Sequence, residues 1–362
     1  MNVLTIGGAT YDVIIHYNAE RSCSSFSVQE QHVFSCPEGS KIPVKKLEYA
    51  CGGGATNSAV SFHRLGNNVT SCFSVGNDSA GDFVIQLLQN EGVRAVAQKV
   101  SEIQTGTSFI IPSPNKDRLI FAYHGANINF DFSFFNNTFS EFYDVVYFTA
   151  LHGKAARALP EIVATFKKKY PSCIIAINPG KNQLLDEKQF LKASLHACDV
   201  VLLNAQEMHL CMSLLKSRYF KTDQLPFAPK ESMRLLSQLL AYESITFTLQ
   251  DYFKELFSYG VKKAVVTDGA HGVYVGTHNA IYFYPALTGE VVNTLGAGDA
   301  FGSAFVASLA SYASTEQALY AGLVQAQSVI SYQDAQTGLL DHIILQKKIA
   351  DFDYHFLKKY SL

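Results

Sequence analysis

Short apolar runs rich in β-branched residues alternate along the chain with segments whose apolar positions recur at helical spacing. The runs Val3–Ile6, Val69–Val75, Val145–Phe148, Cys173–Ile177, Val200–Leu203 and Lys263–Thr267 predict strands. Helical periodicity fills Asn57–Leu65, Ser79–Glu91, Ala155–Lys168 and Leu249–Phe257. A strand that is apolar at nearly every position is covered on both faces, and a helix between two such strands is the crossover a parallel pair needs. The alternation therefore predicts an α/β fold, a doubly wound, mainly parallel sheet flanked by helices. Ser79 followed by Asp82 has the pattern of a capping box, and Gly92 is placed to end that helix in the left-handed conformation.

Two stretches break the rhythm. Residues 13–50 and 96–124 alternate apolar and polar positions without helices between them. Val13–Tyr17, Ile42–Tyr49, Thr107–Ile111 and Arg118–Tyr123 read as antiparallel strands, with Pro112–Asp117 a turn between the last two. They can pair into a small sheet beside the main domain, as a lid or as an edge extension, and the local pattern weighs the two equally. The predicted division is a large domain of residues 1–12, 50–95 and 125–362 and a small β lid of 13–49 and 96–124. The segment Cys211–Leu249, with Pro226 and Pro229 inside it, predicts added surface helices and shows no chemistry.

Composition narrows the function. The 362 residues carry a formal net charge of −2. No basic stripe is present, so a nucleic-acid partner is not expected. No apolar run is long enough for a membrane span, and the start reads as a strand entering a glycine turn rather than a signal peptide. The seven cysteines are scattered, with no Cys-x-x-Cys spacing. That predicts reduced thiols, a cytoplasmic protein and no protein-ligated zinc.

Chemistry concentrates in Val291–Gly302. A strand-like start meets Gly296, Ala297 and Gly298, and a small, apolar helix follows to about Ala310. Unpaired amides at the start of a buried helix bind phosphate oxygens, and glycine lets a ligand approach them closely. Asp299 lies inside that nest. Its field is expected to hold the carboxylate ionised, able to take a proton from a hydroxyl attacking phosphorus. As a plain helix cap Asp299 needs no such role. In Cys51–Gly66, three glycines precede a helix carrying Asn57, whose amide suits a polyol. Asp12 follows the first strand and can hold two hydroxyls, or be a solvated turn residue. Asn204 and Glu207 can serve magnesium-bound water, or simply cap a helix. Thr267, Gly269 and Gly272 can admit a nucleotide, or form a turn. Neither a dinucleotide fingerprint nor a P-loop motif occurs.

Together, in order along most of the chain, these segments resemble the ribokinase-like carbohydrate kinases of phosphofructokinase-B type. The resemblance rests on the Gly7–Asp12 turn, Gly52–Gly66, Gly76–Gly81, Gly125–Asn127, Asn204–Glu207, Thr267–Gly272 and Asn293–Asp299. It implies a ribokinase-like fold with a small β-sheet lid, and an ATP- and Mg²⁺-dependent transfer to a hydroxyl of a sugar. It also implies roles. Asp299 is the base, and Gly296, Ala297 and Gly298 form the anion hole. Asp12, Gly53 and Asn57 bind the acceptor. Asn204 and Glu207 serve the phosphates and metal, and Thr267, Gly269 and Gly272 line the ATP groove.

Two departures stand out. The family usually has Asp-Thr where this chain has Asn293-Thr294, and that Asp helps form a potassium site in many relatives. Asp334 stands where relatives often carry Gly. Potassium activation is therefore expected to be weak or absent. Other readings stay open: a nucleoside kinase of adenosine type, a non-catalytic sugar sensor on the same fold and, less favoured still, a nicotinamide-dependent dehydrogenase. A homodimer is open as well, because contacts cannot be carried over past the long 211–249 segment.

Overall fold

Val3 and Leu4 leave the first strand in opposite directions, yet both are fully buried, in two different apolar clusters. The same split recurs at Val145 and Val146, at Ile175 and Ala176, and at Val265 and Val266. A sheet whose two faces each meet a core needs helices on both sides. The computed structural model describes residues 1–17, 24–28, 31–112, 118–216, 222 and 233–362.

In chain order the strands are β1 (Asn2–Ile6), β2 (Thr10–Tyr17), β3 (Ser24–Val28), β4 (Gln31–Ser35), β5 (Val44–Gly52), β6 (Asn68–Gly76), β7 (Arg94–Val100), β8 (Thr107–Pro112), β9 (Arg118–Tyr123), β10 (Val145–Phe148), β11 (Ile174–Ile177), β12 (Val200–Asn204), β13 (Leu240–Tyr242), β14 (Ile245–Phe247), β15 (Lys263–Thr267), β16 (Val273–Gly276), β17 (Ala280–Tyr284) and β18 (Lys358–Ser361). The longer helices are α1 (Gly54–Arg64), α2 (Ser79–Asn90), α3 (Gly153–Lys169), α4 (Ala205–Leu215), α5 (Leu249–Ser258), α6 (Ala297–Ala310), α7 (Thr315–Val329) and α8 (His342–Ala350). Ten strands form one sheet in the order β18-β17-β16-β15-β12-β11-β10-β1-β6-β7. It is parallel from β15 to β7 and antiparallel over its last three strands. The order reverses beside β1, so loops at the carboxyl ends of neighbouring strands diverge and leave a crevice.

The lid segments form a separate four-stranded sheet, β5-β2-β8-β9. Its central β2–β8 pair runs parallel, not antiparallel as its alternation suggested. Alternation reports which face is buried and says nothing of strand direction. Residues 94–100 belong to the main sheet as β7, beside β6, so the small sheet draws its later strands from 107–123 only. Arg118 Nη1 at the start of β9 donates to Thr294 Oγ1 at 2.5 Å. The small sheet thus touches the loop before α6.

Several local expectations shift. Asp78, not Ser79, caps α2: its carboxylate accepts from Gly81 N at 2.8 Å. Gly92 takes φ +86° beyond the helix end, as expected. Residues 291–296 are irregular rather than strand, because Val292 N and Asn293 N both reach the Ile330 carbonyl instead of a ladder partner. Within 211–249, α4 runs on to Leu215 and an antiparallel hairpin, β13–β14, stands where helices were expected. Pro226, Pro229 and residues 113–117 of the expected turn lie outside the described residues. Cys36 is disulfide-bonded, which overturns the reading of all seven cysteines as reduced, while Cys51, Cys72, Cys173, Cys198 and Cys211 are free and buried. Scattered spacing carries no information about pairs that the fold brings together. Among the described residues, no helix is long and apolar enough to cross a membrane.

Candidate active site

Helix α6 starts where Gly296 turns left-handed, at φ +73°. A Cβ there would lie 2.4 Å from the Ala335 Cβ, so the turn admits only glycine without movement. At Gly298 an added Cβ meets nothing within 4 Å, because this turn of helix faces open space. Among the described residues, the Gly296 and Gly298 amides meet no backbone acceptor, and Ala297 N has only a long bond of 3.4 Å to Thr294 O. Three N–H groups are thus available at the positive end of a helix of 14 residues.

Asp299 follows on the first turn and lines a cavity of about 220 Å³. Gly296, Gly298, Asn204, Glu207 and Thr267 line the same cavity. They arrive there by strand ends: Asn204 closes β12, and Thr267 closes β15 beside it. Asn204 and Glu207 also form a reciprocal capping box, with bonds of 2.9 and 3.0 Å. The helix-cap expectation holds for this pair, and the cap fixes the Glu207 carboxylate at the cavity wall.

Asn57 joins this group from the other end of the sequence. Its Nδ2 donates to Asp299 Oδ2 at 2.9 Å. Asn57 N in turn donates to the Gly53 carbonyl at 3.0 Å, at the start of α1. Gly53 has φ +98°, and a Cβ there would meet the Gly8 carbonyl at 2.4 Å. The Gly7–Asp12 turn therefore packs directly on the glycine run. Asp12 lies in β2, is 4 % exposed, and accepts from Thr10 Oγ1 at 2.8 Å. A Cβ at Gly52 would lie 2.0 Å from Asp12 Oδ2, so only glycine leaves room for this carboxylate.

At Asp299 burial works against the field of the helix start. Burial pushes its carboxyl up to about 6, the Asn57 bond pulls it back, and the Glu207 charge adds to the rise. Glu207 is itself raised, first by burial, and so is Asp12. At pH 7 a group titrating near 6 is still about nine-tenths ionised. Such a group can both accept and return a proton, which suits general-base work.

Not every expected residue reaches the cavity. Gly272, at φ +113°, packs under Tyr284 O, where a Cβ would approach to 2.3 Å, so it serves the β15–β16 connection. Gly269 faces open space beside the buried Asp268, which pairs with Arg234. Sequence reasoning missed Asn178, whose Nδ2 donates to Leu202 O at 2.8 Å, and Phe301. It also missed Gln336, which bonds Asn57. A second cavity, of about 510 Å³, lies between Leu287–Thr288 and α7, with Tyr320, Val324 and Gln327 in its wall. Its residues are mostly apolar or neutral and follow no motif, so no local signal marks them.

The fit of the two implied cations differs. Mg²⁺ takes few protein ligands and keeps several waters. Among the described residues, no group of three or more His, Cys, Asp or Glu is placed to hold a metal, but Glu207 and Asp299 face one cavity and repel each other, which a divalent cation relieves. A potassium site does not fit. Asn293 Nδ2 donates to Gln333 O at 2.7 Å, and Asn293 Oδ1 accepts from Leu295 N at 3.0 Å. The two segments that would supply oxygens to a cation are tied to each other by an N–H donor.

Three comparisons bear on this arrangement. The profile of the pfkB family carbohydrate kinases matches residues 25–342. An ATP-dependent 6-phosphofructokinase of Thermoanaerobacterium thermosaccharolyticum is 23% identical over 292 residues, 80% of this chain and 82% of the relative. Among solved structures, a ribokinase of Cryptococcus neoformans in complex with ADP superposes with a TM-score of 0.69 at 20% identity, over 96% of this chain and 99% of that one. A nucleoside kinase of Burkholderia thailandensis in complex with inosine gives 0.70 at 14% identity, over 96% and 98%. At such identities the structures speak for the fold.

Proposed function

Because this chain belongs to the pfkB family of carbohydrate kinases and is an ATP-dependent kinase, we propose that its acceptor is a hydroxyl of a sugar and that Asp299 is the base. The observation that carries this reading is the Asn57–Asp299 hydrogen bond, which joins two motifs 242 residues apart at the mouth of one cavity. One of these motifs can bind a polyol, and the other can bind phosphate.

In this reading the sugar lies against Asp12, Gly53 and Asn57. Asp12 is buried and anchored by Thr10, so it can take two hydroxyls without moving. The γ-phosphoryl group lies on the Gly296, Ala297 and Gly298 amides. Asp299 accepts the hydroxyl proton as the oxygen attacks phosphorus. The amides meet the charge on the equatorial oxygens without reorganising, because α6 already holds them. Asn204 and Glu207 orient the phosphates and magnesium-bound water; the metal supplies charge neutralisation when bound. Thr267 supplies part of the wall on the nucleotide side, while Gly269 and Gly272 shape the turn behind it. The 510 Å³ cavity between Leu287 and α7 has the size for a base and ribose. A cytoplasmic location would supply the ATP that this reaction uses.

A substrate panel tests the acceptor. ADP release with ATP, Mg²⁺ and ribose, fructose, other hexoses, adenosine or inosine should give its highest kcat/KM with a sugar, at least about tenfold above either nucleoside. Preference for a nucleoside replaces the sugar reading with a nucleoside-kinase one. Turnover with none of these acceptors removes both.

A further inference from the structure

An asparagine beside a base can present either end of its amide, and the two ends do opposite things. The nitrogen donates to a carboxylate and favours its ionised form; the oxygen would repel it. The choice at Asn57 is fixed by its neighbour. Gln336 Nε2 lies 3.0 Å from the Cys51 carbonyl and 3.0 Å from Asn57 Oδ1. A backbone carbonyl can only accept, so the Gln336 group facing it must be the NH₂. That same NH₂ also faces Asn57, so the Asn57 atom there must be oxygen. The Asn57 nitrogen is then left for Asp299.

The backbone of Gln336 is itself anchored. Its N–H donates to Asp334 Oδ1 at 2.8 Å, and Thr337 N bonds the same oxygen at 2.7 Å. Its carbonyl accepts from Arg64 Nη1 at 2.7 Å, and Arg64 also reaches Leu339 O at 3.1 Å. Glu91 holds the guanidinium in turn through two bonds, of 3.1 and 2.8 Å. Gln336 is 7 % exposed and Asn57 5 %. A buried amide with two acceptors and an anchored backbone has no low-energy way to turn over. Asp334, a departure when read as part of a cation site, acts in this chain as the cap of that anchor.

We propose that Gln336 is a positioning residue for the phosphoryl-transfer site, setting the Asn57 amide so that its nitrogen faces Asp299. The role of Asp299 as base rests on the sugar-kinase reading; the amide orientation does not. Both can therefore be tested apart. The Asp299 carboxyl is followed by ¹³C NMR in selectively labelled protein, with Asp299→Asn identifying its resonance, and needs no substrate. In the wild-type protein burial should put its midpoint up at about 6. Gln336→Glu offers an acceptor where a donor stood and turns Asn57 over; the Asp299 midpoint should rise by about one pH unit or more. Gln336→Met keeps the volume and removes the lock, and should give a rise of about half that. In turnover, the acid limb of kcat/KM should move up with the carboxyl, and kcat should fall about tenfold or more in Gln336→Glu.

Equal Asp299 midpoints in wild type and Gln336→Met overturn the proposal, whatever the rates do. If Gln336→Glu does not fold, Gln336→Met alone decides. Shifted midpoints in a protein that phosphorylates no acceptor uphold the lock and defeat the kinase reading. A fall in kcat with no movement of either the midpoint or the acid limb shows a structural role only, and the proposal fails.

Discussion

At Asp299 two effects oppose each other, and their balance is measurable. Burial raises the carboxyl, and the Asn57 N–H lowers it, leaving a value of about 6. A base must be ionised to accept a proton, so the rate should fall as pH drops below about 6, with log(kcat/KM) approaching unit slope. Asp299→Asn should lower kcat by about 10²–10⁴ while leaving nucleotide-induced heat stabilisation in place. Loss of that stabilisation together with the rate would assign Asp299 to binding instead. The same shift has a sign for stability. The folded value lies above the unfolded one, near 3.9, so the group's contribution is present below pH 4 and is lost as pH rises through 6. Asp299→Asn removes the buried charge but keeps an acceptor for Asn57. It should therefore unfold at a higher temperature than the wild type at pH 8, by up to about 1–3 kcal/mol of stability, with the gap closing toward pH 4. Paired thermal melts at the two pH values check this, and an equal gap at both would refute it. None of this sign was legible in the sequence. Residue types and a helix start suggest a field from α6, but desolvation depends on what covers Asp299, which only the fold supplies.

The first turn of α6 contains two glycines that do different work. Gly296 is left-handed and pressed against Ala335, whereas Gly298 faces open space with ordinary helical geometry. Gly296→Ala should therefore reduce stability, by about 1–3 kcal/mol, and lower the amount of folded protein. Gly298→Ala should melt normally yet lose at least about tenfold in kcat/KM for ATP, because its methyl group enters the cavity where phosphate would approach. Urea unfolding and steady-state kinetics on both variants separate the two effects; a stability loss at Gly298 with kinetics intact would mean that the nest binds nothing. A third element, the 293–333 tie, bears on the cation. Exchanging NaCl for KCl at constant ionic strength should change the rate by less than about twofold, since Asn293 already satisfies the Gln333 carbonyl. A several-fold gain with potassium would sink this reading. Elements with strong periodicity, such as β1, β6, β10, α2 and α3, were legible because burial on both faces or on one stripe leaves a mark at every position. The β13–β14 hairpin, the parallel β2–β8 pair and the Cys36 disulfide were not, since each depends on partners distant in sequence. The Asn57–Asp299–Gln336 cluster was half legible. The motif residues announce themselves through glycine and carboxylate, but Gln336 looks like any polar residue of a surface loop.

In the whole molecule, the small sheet has two unlike faces. Pairing puts Asp12, Ala50 and Ser108 in one row, on the face that carries the buried Asp12. The next row is Tyr49, Val13, Phe109 and Phe121, on the opposite face. Leu47, Leu119 and Tyr123 share that outer face by register, and Leu47, Tyr49, Phe109, Leu119, Phe121 and Tyr123 are 40–57 % exposed. Four half-exposed aromatic rings and two leucines present on the order of 500 Å² of apolar surface, a patch that a lone chain seldom leaves to water. A second copy is the occupant that the patch itself suggests. A twofold axis needs one self-complementary surface, and two such faces together approach the roughly 1,200 Å² of a specific interface. We therefore expect a homodimer joined lid to lid, and light scattering behind size exclusion should give about twice the 39.8 kDa of one chain. The double variant Tyr49→Asp, Phe121→Asp changes only exposed positions, so it should fold and elute as a monomer. A sheet that loses its partner also loses support for the strands that carry Asp12, so KM for the acceptor should rise by about threefold or more in the monomer while kcat moves less. A wild-type monomer at micromolar concentration would remove the interface. A variant that stays dimeric would move it to another face, since like charges and lost apolar area on both copies cannot be accommodated in a contact centred on Tyr49 and Phe121.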